Sequence, residues 1–150
     1  MDDPQLKLDN QICFPLYSAS RLITKLYQPI LSEWDLTYPQ YLVLLLLWEN
    51  DGRKVSDLCN CLLLETSTLT PLLKRMEAKG YVTRTRSATD ERTVLIALTD
   101  KGKSFREIAR DIPERIVSSL QNDRVTEADI VHLKTTLAGI TAVILQSESE

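Results

Sequence analysis

Apolar residues recur at helical spacing along most of this chain, and they alternate at strand spacing in one short region. From Ile12, the residues Ile12, Leu16, Ala19, Ile23, Leu26 and Ile30 advance by four and three in turn, the a/d seam of a helix about three heptads long. Regular helix is predicted from near Ile12, which leaves Pro15 in the first turn, where a missing N–H costs little. Thr37 opens a second helix with Pro39 in its first turn, the run 41–48 is apolar enough to be core, and Asn50-Asp51-Gly52 ends it. Val55, Leu58, Cys59 and Leu62 then mark a short helix, and Leu69, Leu72, Leu73 and Met76 mark another after a linker at 63–66. Lys79-Gly80 closes that helix with a cation and the residue that best tolerates a left-handed cap. Residues 81–86 and 93–98 alternate and are rich in β-branched types, with polar turn material at 87–91, so they predict a hairpin. Thr99 or Asp100 caps a predicted long helix running to about Leu120 with a kink at Pro113. Thr126 and Asp129 form a capping-box pattern before a last helix striped by Ile130, Leu133, Leu137, Ile140 and Ile144.

A short helix, a tight turn, a second amphipathic helix and a hairpin together make a winged helix-turn-helix. The predicted fold class is therefore mainly α (α+β), with a winged helix-turn-helix at 37–98 and long terminal helices at 9–32 and 100–146, in a single domain over 1–150. A winged helix of this size covers one side of such helices, so their remaining seams predict a homodimer with two-fold symmetry. The second reader helix points Ser67, Thr68, Thr70, Pro71, Lys74 and Arg75 outward, small hydroxyls and cations suited to base edges and phosphates. The hairpin adds Arg84, Arg86 and Arg92. Paired readers would face a pseudo-palindromic duplex with half-sites about one turn apart.

Charge strengthens that reading. Between Lys74 and Arg110 there are ten Lys/Arg against five Asp/Glu, a local +5, whereas the remaining residues carry eight against sixteen, −8, to give the overall −3. A pI near 5.3 with a basic reader argues for a localised footprint and against indiscriminate nucleic-acid binding.

The 150 residues, 43% of them hydrophobic, are one globular domain's worth of chain. The acidic stretch MDDPQLKLDN shows no secretory pattern, and the run 41–48 is too short to span a bilayer, so a cytoplasmic protein with no membrane role is expected. Three cysteines, Cys13, Cys59 and Cys61, read as free thiols. With one histidine, His132, and a Cys59-x-Cys61 pair lacking a companion, no metal site and no cofactor are predicted, and a zinc-responsive regulator is disfavoured.

Three stretches, DNQICFPLYSASR, LTYPQYLVLLLLWE and ETSTLTPLLKRMEAKGYVTRTRSATDERTVLIALTDKG, resemble the MarR family of bacterial winged-helix repressors, and more closely its organic-hydroperoxide-sensing OhrR subgroup. The resemblance spans nearly the whole chain. The Asp90-x-Arg92 pattern in the wing is family-wide, whereas the first two stretches point to the subgroup. The resemblance implies that Cys13 is the redox-sensing residue, oxidised by organic hydroperoxide so that the dimer releases its operator. It also places Tyr17, Tyr27 and Tyr38 where their O–H groups stabilise a thiolate. Cys13 beside a helix N-terminus fits, because the macrodipole there favours a thiolate. Oxidation to a sulfenic acid can proceed to a mixed disulfide with a low-molecular-weight thiol. Apolar neighbours such as Phe14, Trp34 and Trp48 would favour alkyl or lipid peroxides.

The resemblance further assigns Ser67, Thr68, Thr70, Lys74 and Arg75 to groove and phosphate contacts and Arg92 to the minor groove, with Asp90 orienting Arg92 or capping the turn. Some relatives resolve the sulfenic acid with a second cysteine in the C-terminal half; nothing after Cys61 plays that part here, so this resembles the one-cysteine type. Pro15 departs from the subgroup's first helix and leaves the surroundings of Cys13 open. Two alternatives remain: a MarR-type regulator answering a small phenolic ligand, and a thiol peroxidase using Cys13. The peroxidase is disfavoured by the lack of a resolving partner or activating arginine, so a non-enzyme is expected.

Overall fold

The computed structural model describes residues 3–90 and 92–148. The chain forms two compact units, Met1–Arg110 and Asp111–Glu150.

In the first unit, two short 3₁₀ turns, Pro4–Leu6 and Leu8–Asn10, precede α1, Cys13–Ser32. Helix begins where the seam predicts, with Pro15 in the first turn. Pro29 lies inside α1 and was not anticipated as a break; it withholds one N–H from the ladder near the helix end. After α1 the chain turns sharply, with Leu36 N–H bonding to Leu31 O at 3.0 Å and Asp35 at a left-handed φ of 54°. Helix α2, Tyr38–Glu49, starts at Thr37, whose N–H donates to the Gln40 side chain at 3.1 Å, and carries Pro39 in its first turn. Its Tyr41, Val43, Leu44 and Leu47 are buried.

Next come β1, Arg53–Lys54, then α3, Val55–Leu62, and α4, Thr66–Ala78. The linker is 63–65, with Leu63 left-handed at φ 53°, so Thr66, expected in the linker, is the first helical residue. Leu58, Cys59, Leu69, Leu72, Leu73 and Met76 pack inward as the spacing requires. Helix α4 ends in a Schellman motif: Tyr81 N–H reaches Met76 O at 3.0 Å, Gly80 N–H reaches Glu77 O at 2.9 Å, and Gly80 has φ 75°.

The hairpin is β2, Val82–Arg86, paired antiparallel with β3, Val94–Leu98, in the register Val82↔Leu98 and Arg86↔Val94. β1 adds to the other side of β3, Arg53 opposite Ile96, to give the order β1-β3-β2. No strand was expected at 53–54, because two residues carry no readable alternation. Asp51 Oδ1 accepts the N–H of both Gly52, at 2.9 Å, and Leu98, at 2.8 Å, tying the turn after α2 to the end of the wing.

Helix α5 is Asp100–Ala109 and α6 is Ile112–Leu120. The expected continuous helix over 100–120 is thus two helices, and Pro113 stands in the first turn of α6 instead of kinking one helix. A proline at that position needs no donor and presets the helical φ, which makes it a start signal. Phe105 of α5 is buried against Trp34, Trp48 and Tyr81, with ring centroids 5.5, 6.0 and 5.9 Å away. Trp48 Nε1 donates to Gly102 O at 3.0 Å.

The second unit contains α6 and α7, Glu127–Ser147. Thr126 and Asp129 form the capping box: Thr126 N–H donates to Asp129 Oδ2 at 2.8 Å and Asp129 N–H to Thr126 Oγ1 at 3.2 Å. Ile112 and Ile116 are buried, while no residue of α7 is, and Val143 is 67% and Ile144 53% exposed. By length and composition α7 is also long and apolar enough to cross a membrane.

A methyl group on Gly102 would collide with the backbone carbonyl of Tyr81 and touch Leu98. Gly102→Ala is therefore expected to destabilise by about 1–3 kcal/mol, the usual range for overpacking. Chemical denaturation followed by tryptophan fluorescence checks this, and an unchanged midpoint would show that the α5–wing contact yields freely.

Candidate nucleic-acid interface and sensor cysteine

Because Leu69, Leu72, Leu73 and Met76 turn α4 inward, its opposite face is open. Ser67, Thr68, Pro71, Lys74 and Arg75 are exposed there and Thr70 is half-buried. Pro71 stands inside the helix, where its ring leaves the Ser67 carbonyl without an intrahelical donor. Across a cleft stands the wing. Thr66, Thr70, Arg84, Arg92, Thr93 and Lys54 all line that cleft, so two segments distant in sequence present hydroxyls and cations to one space.

The wing cations are not equivalent. Arg84 pairs with Glu77 of α4 at 3.5 Å, and the same carboxylate accepts the Arg84 backbone N–H at 3.1 Å. That arginine braces the wing against α4, which alternation alone does not reveal. Arg86 and Arg92 are exposed. Of the two roles open to Asp90, the geometry shows the cap: Asp90 accepts from Arg92 N–H at 3.0 Å and from Thr93 Oγ1 at 2.9 Å. Those bonds to its charged form hold the Asp90 carboxyl below its ordinary value, with a smaller contribution from the Lys54 charge. Lys54 and Ser56 belong to this surface but were not singled out from sequence; the signal available was a cation immediately before the first reader helix.

Cys13 is the first residue of α1 and is exposed, as is Cys61, while Cys59 is buried; all three are free thiols. Cys59 Sγ lies 3.7 Å from Thr66 Oγ1, and Cys61 Sγ accepts from Arg53 Nη1 at 3.6 Å. Tyr17 is 60% exposed and accepts from Arg21 at 3.3 Å, which leaves its own O–H free to donate. Tyr27 and Tyr38 pack with ring centroids 4.6 Å apart and planes tilted by 52°, and the Tyr41 ring sits 5.9 Å from Tyr27. Burial raises all three phenols, Tyr41 to about 12 with added effect from Tyr27 and Tyr38, so each keeps its proton at neutral pH. The Tyr41 hydroxyl is buried without a partner.

The structure does not bring this trio to Cys13 within one chain. Fourteen residues of continuous helix separate Cys13 from Tyr27, about 21 Å of rise. Trp34 and Trp48 likewise pack around Phe105 beyond the far end of α1, and of the expected apolar neighbours only Phe14 lies beside Cys13.

Residues 25–108 match the family described as transcriptional regulator SarA/Rot. The organic hydroperoxide resistance transcriptional regulator of Bacillus subtilis is 48% identical over 132 residues, 88% of each chain. This chain belongs to the MarR/SarA family of winged-helix transcriptional regulators. Another relative, the regulator MgrA of Staphylococcus aureus, is 40% identical over 82% of this chain and 86% of its own. Among solved structures, reduced AbfR bound to DNA superposes with a TM-score of 0.77 at 36% identity, covering 97% of this chain and 99% of that one. SlyA, at 21% identity and a TM-score of 0.79 over 91% and 96% of the two chains, shares the fold. In this family member the three-stranded wing and the α3–α4 pair are the winged helix-turn-helix expected from the sequence.

The lowered Asp90 carboxyl sets a pH dependence. Its contribution to the wing turn is present above the ordinary carboxylate range and is lost as the pH falls below that range, because protonation removes the acceptor. In an NMR titration the Arg92 and Thr93 amide signals should move with a midpoint below 3.8, the ordinary aspartate value. A midpoint at or above that value would contradict the cap.

Proposed function

We propose that this chain is a redox-sensing repressor that, as a homodimer, grips a double-stranded DNA operator through α4 and the wing and releases it when organic hydroperoxide oxidises Cys13. The observation that carries this reading is an exposed thiol in the first turn of α1, in a chain 48% identical to an organic hydroperoxide resistance regulator. The solved AbfR complexes, one reduced and one overoxidised, are both described as bound to DNA, which supports DNA as the partner of this fold.

The chemistry follows from the thiol. A Cys13 thiolate attacks the peroxide, the O–O bond breaks, one oxygen stays on sulfur as sulfenic acid, and the alkoxide leaves and takes a proton. The sulfur loses two electrons and the peroxide gains them. A low-molecular-weight thiol then condenses with the sulfenic acid to a mixed disulfide and water. With no further cysteine after Cys61, Cys13 works as a single-cysteine sensor, and peroxide is its signal: the protein is no enzyme and acts in the cytoplasm, where its operator is.

Dimerisation is supported by what single chains leave uncovered. Leu16 and Leu26 of the α1 seam and Leu133, Leu137, Ile140 and Ile144 of α7 are 36% exposed or more, more apolar surface than a lone soluble chain ordinarily leaves open. The 9–32 and 100–146 segments furnish the pairing helices, except α5, whose buried face packs within the winged unit. Since Tyr27 and Tyr38 cannot reach Cys13 of their own chain, a phenol bond to the sensor sulfur comes across the dimer, and Tyr17 supplies the bond in cis. A pseudo-palindromic operator follows from two such readers. Ser67, Thr68, Thr70, Pro71, Lys74 and Arg75 meet the major groove and its phosphates, Arg86 and Arg92 extend into or along the minor groove, and Asp90 and Arg84 hold the wing.

A cleft lined by Thr24, Lys25, Gln28, Ser32, Asp35, Leu36, Thr37 and Tyr38 supports a second reading, release by a small phenolic ligand. The two separate on one variant. Cys13→Ser should bind operator like wild type yet stay bound after stoichiometric cumene hydroperoxide, in a gel shift read beside intact mass; if it lets go as wild type does, Cys13 is not the switch. Sedimentation equilibrium should give twice the 17.1 kDa chain mass at micromolar concentration, and a single-chain mass would remove the dimer.

A further inference from the structure

The cleft between the wing and the start of the reader is lined by Lys54, Ser56, Thr66, Thr70, Arg84, Arg92 and Thr93, together with Val55 and Val94. Three cations and four hydroxyls therefore line one concave space, and among the described residues its lining contains no carboxylate. Arg84 is anchored from behind by Glu77, which fixes its guanidinium, and its Nε is buried without a partner. Among the described residues, neither Lys54 nor Arg92 has an acid within ion-pair distance. The nearby Asp90 carboxylate is already bonded to Arg92 N–H and Thr93 Oγ1, so it lowers the local potential without pairing with Lys54. Cations without a paired acid, set beside one anchored arginine and hydroxyl groups, make a site for an anion.

Lys54 is placed there by the strand that the sequence did not announce. Pairing of β1 with β3 sets Lys54 opposite Leu95 and Arg53 opposite Ile96. Lys54 then follows the sheet instead of the α3 helix axis, and Val55 turns into α3 directly after it. A cation on rigid backbone between wing and reader touches whatever passes from one to the other.

We propose that this cleft clamps one backbone phosphodiester of the bound DNA, with Lys54 as its principal cation and Ser56 and Thr66 as hydroxyl donors, a seat between the groove contacts of α4 and those of Arg92. The inference rests on the DNA-binding reading and gives it a register: it pins the strand at the junction of helix and wing, a contact that positions without reading sequence.

The test uses the full-length protein, a duplex recovered by in-vitro selection and a random-sequence duplex, with affinities followed by anisotropy across a potassium chloride series. Lys54→Gln should weaken binding to both duplexes by the same factor and flatten the slope of log K against log salt by about 0.9 per chain, the counterion release of one phosphate. Lys54→Arg should restore the slope. An unchanged slope in Lys54→Gln, or a loss confined to the selected duplex, overturns the clamp. If the wild type binds neither duplex, the DNA-binding reading fails and the clamp with it. Inorganic phosphate is titrated without DNA in parallel; saturable, Lys54-dependent binding at equal ionic strength would make this a free-anion site and also overturn the proposal.

Discussion

The winged unit depends on one buried ring. Phe105 meets Trp34 from the corner after α1, Trp48 from the end of α2 and Tyr81 from the root of the wing. Three segments far apart in sequence are thus fixed to α5 by contacts worth more than their area alone, because offset and edge-on aromatic pairs add to burial. The contact needs α5 close to the wing, and Gly102, with no side chain, allows that approach. Trp48 then donates to the Gly102 carbonyl, and Thr99 caps α5 while donating to Gly80 O at 2.6 Å. The end of the reader helix and the start of α5 are consequently one joint.

That joint also fastens the corner after α1. Tyr81 O–H donates to Trp34 O at 2.7 Å, and Lys79, at the end of α4, pairs with Asp35 at 3.1 Å. The left-handed Asp35 directs its backbone and carboxylate toward Lys79, a conformation that costs energy in a non-glycine residue and persists because the surroundings determine it. The corner that follows the cysteine-bearing helix is therefore tied to the residues that close the reader helix.

Charge and hydrophobicity divide the labour. The acidic balance of −3 keeps most of the surface repulsive to nucleic acid, and the basic excess is confined to reader, wing and α5. Apolar surface is concentrated on α1 and α7, where Leu22 is 61% and Val131 58% exposed. The apolar surface of α1 and α7 and the basic surface of the reader and wing therefore occupy different parts of the chain.

Much of this was legible in the residues alone, because helices, caps and the hairpin are local. The spacing of Leu69, Leu72, Leu73 and Met76 determined which face of α4 is buried. Gly80 determined where it stops, and Thr126 with Asp129 where α7 starts. The exposed face of hydroxyls and cations followed by subtraction. Contacts between distant residues were not legible. β1 exists only because Arg53 and Lys54 find β3, and two residues have no period of their own. The break between α5 and α6 left Pro113 readable as either a kink or a start. Arg84 looks like a free cation until Glu77 comes within reach, and Tyr27 looks like a neighbour of Cys13 until about 21 Å of helical rise along α1 is set between them. Local sequence decides which elements form and which way they face, since those energies act over a few residues. Which charges are spent on each other, and which remain for DNA, depends on side chains meeting across the fold, and only the tertiary structure decides that.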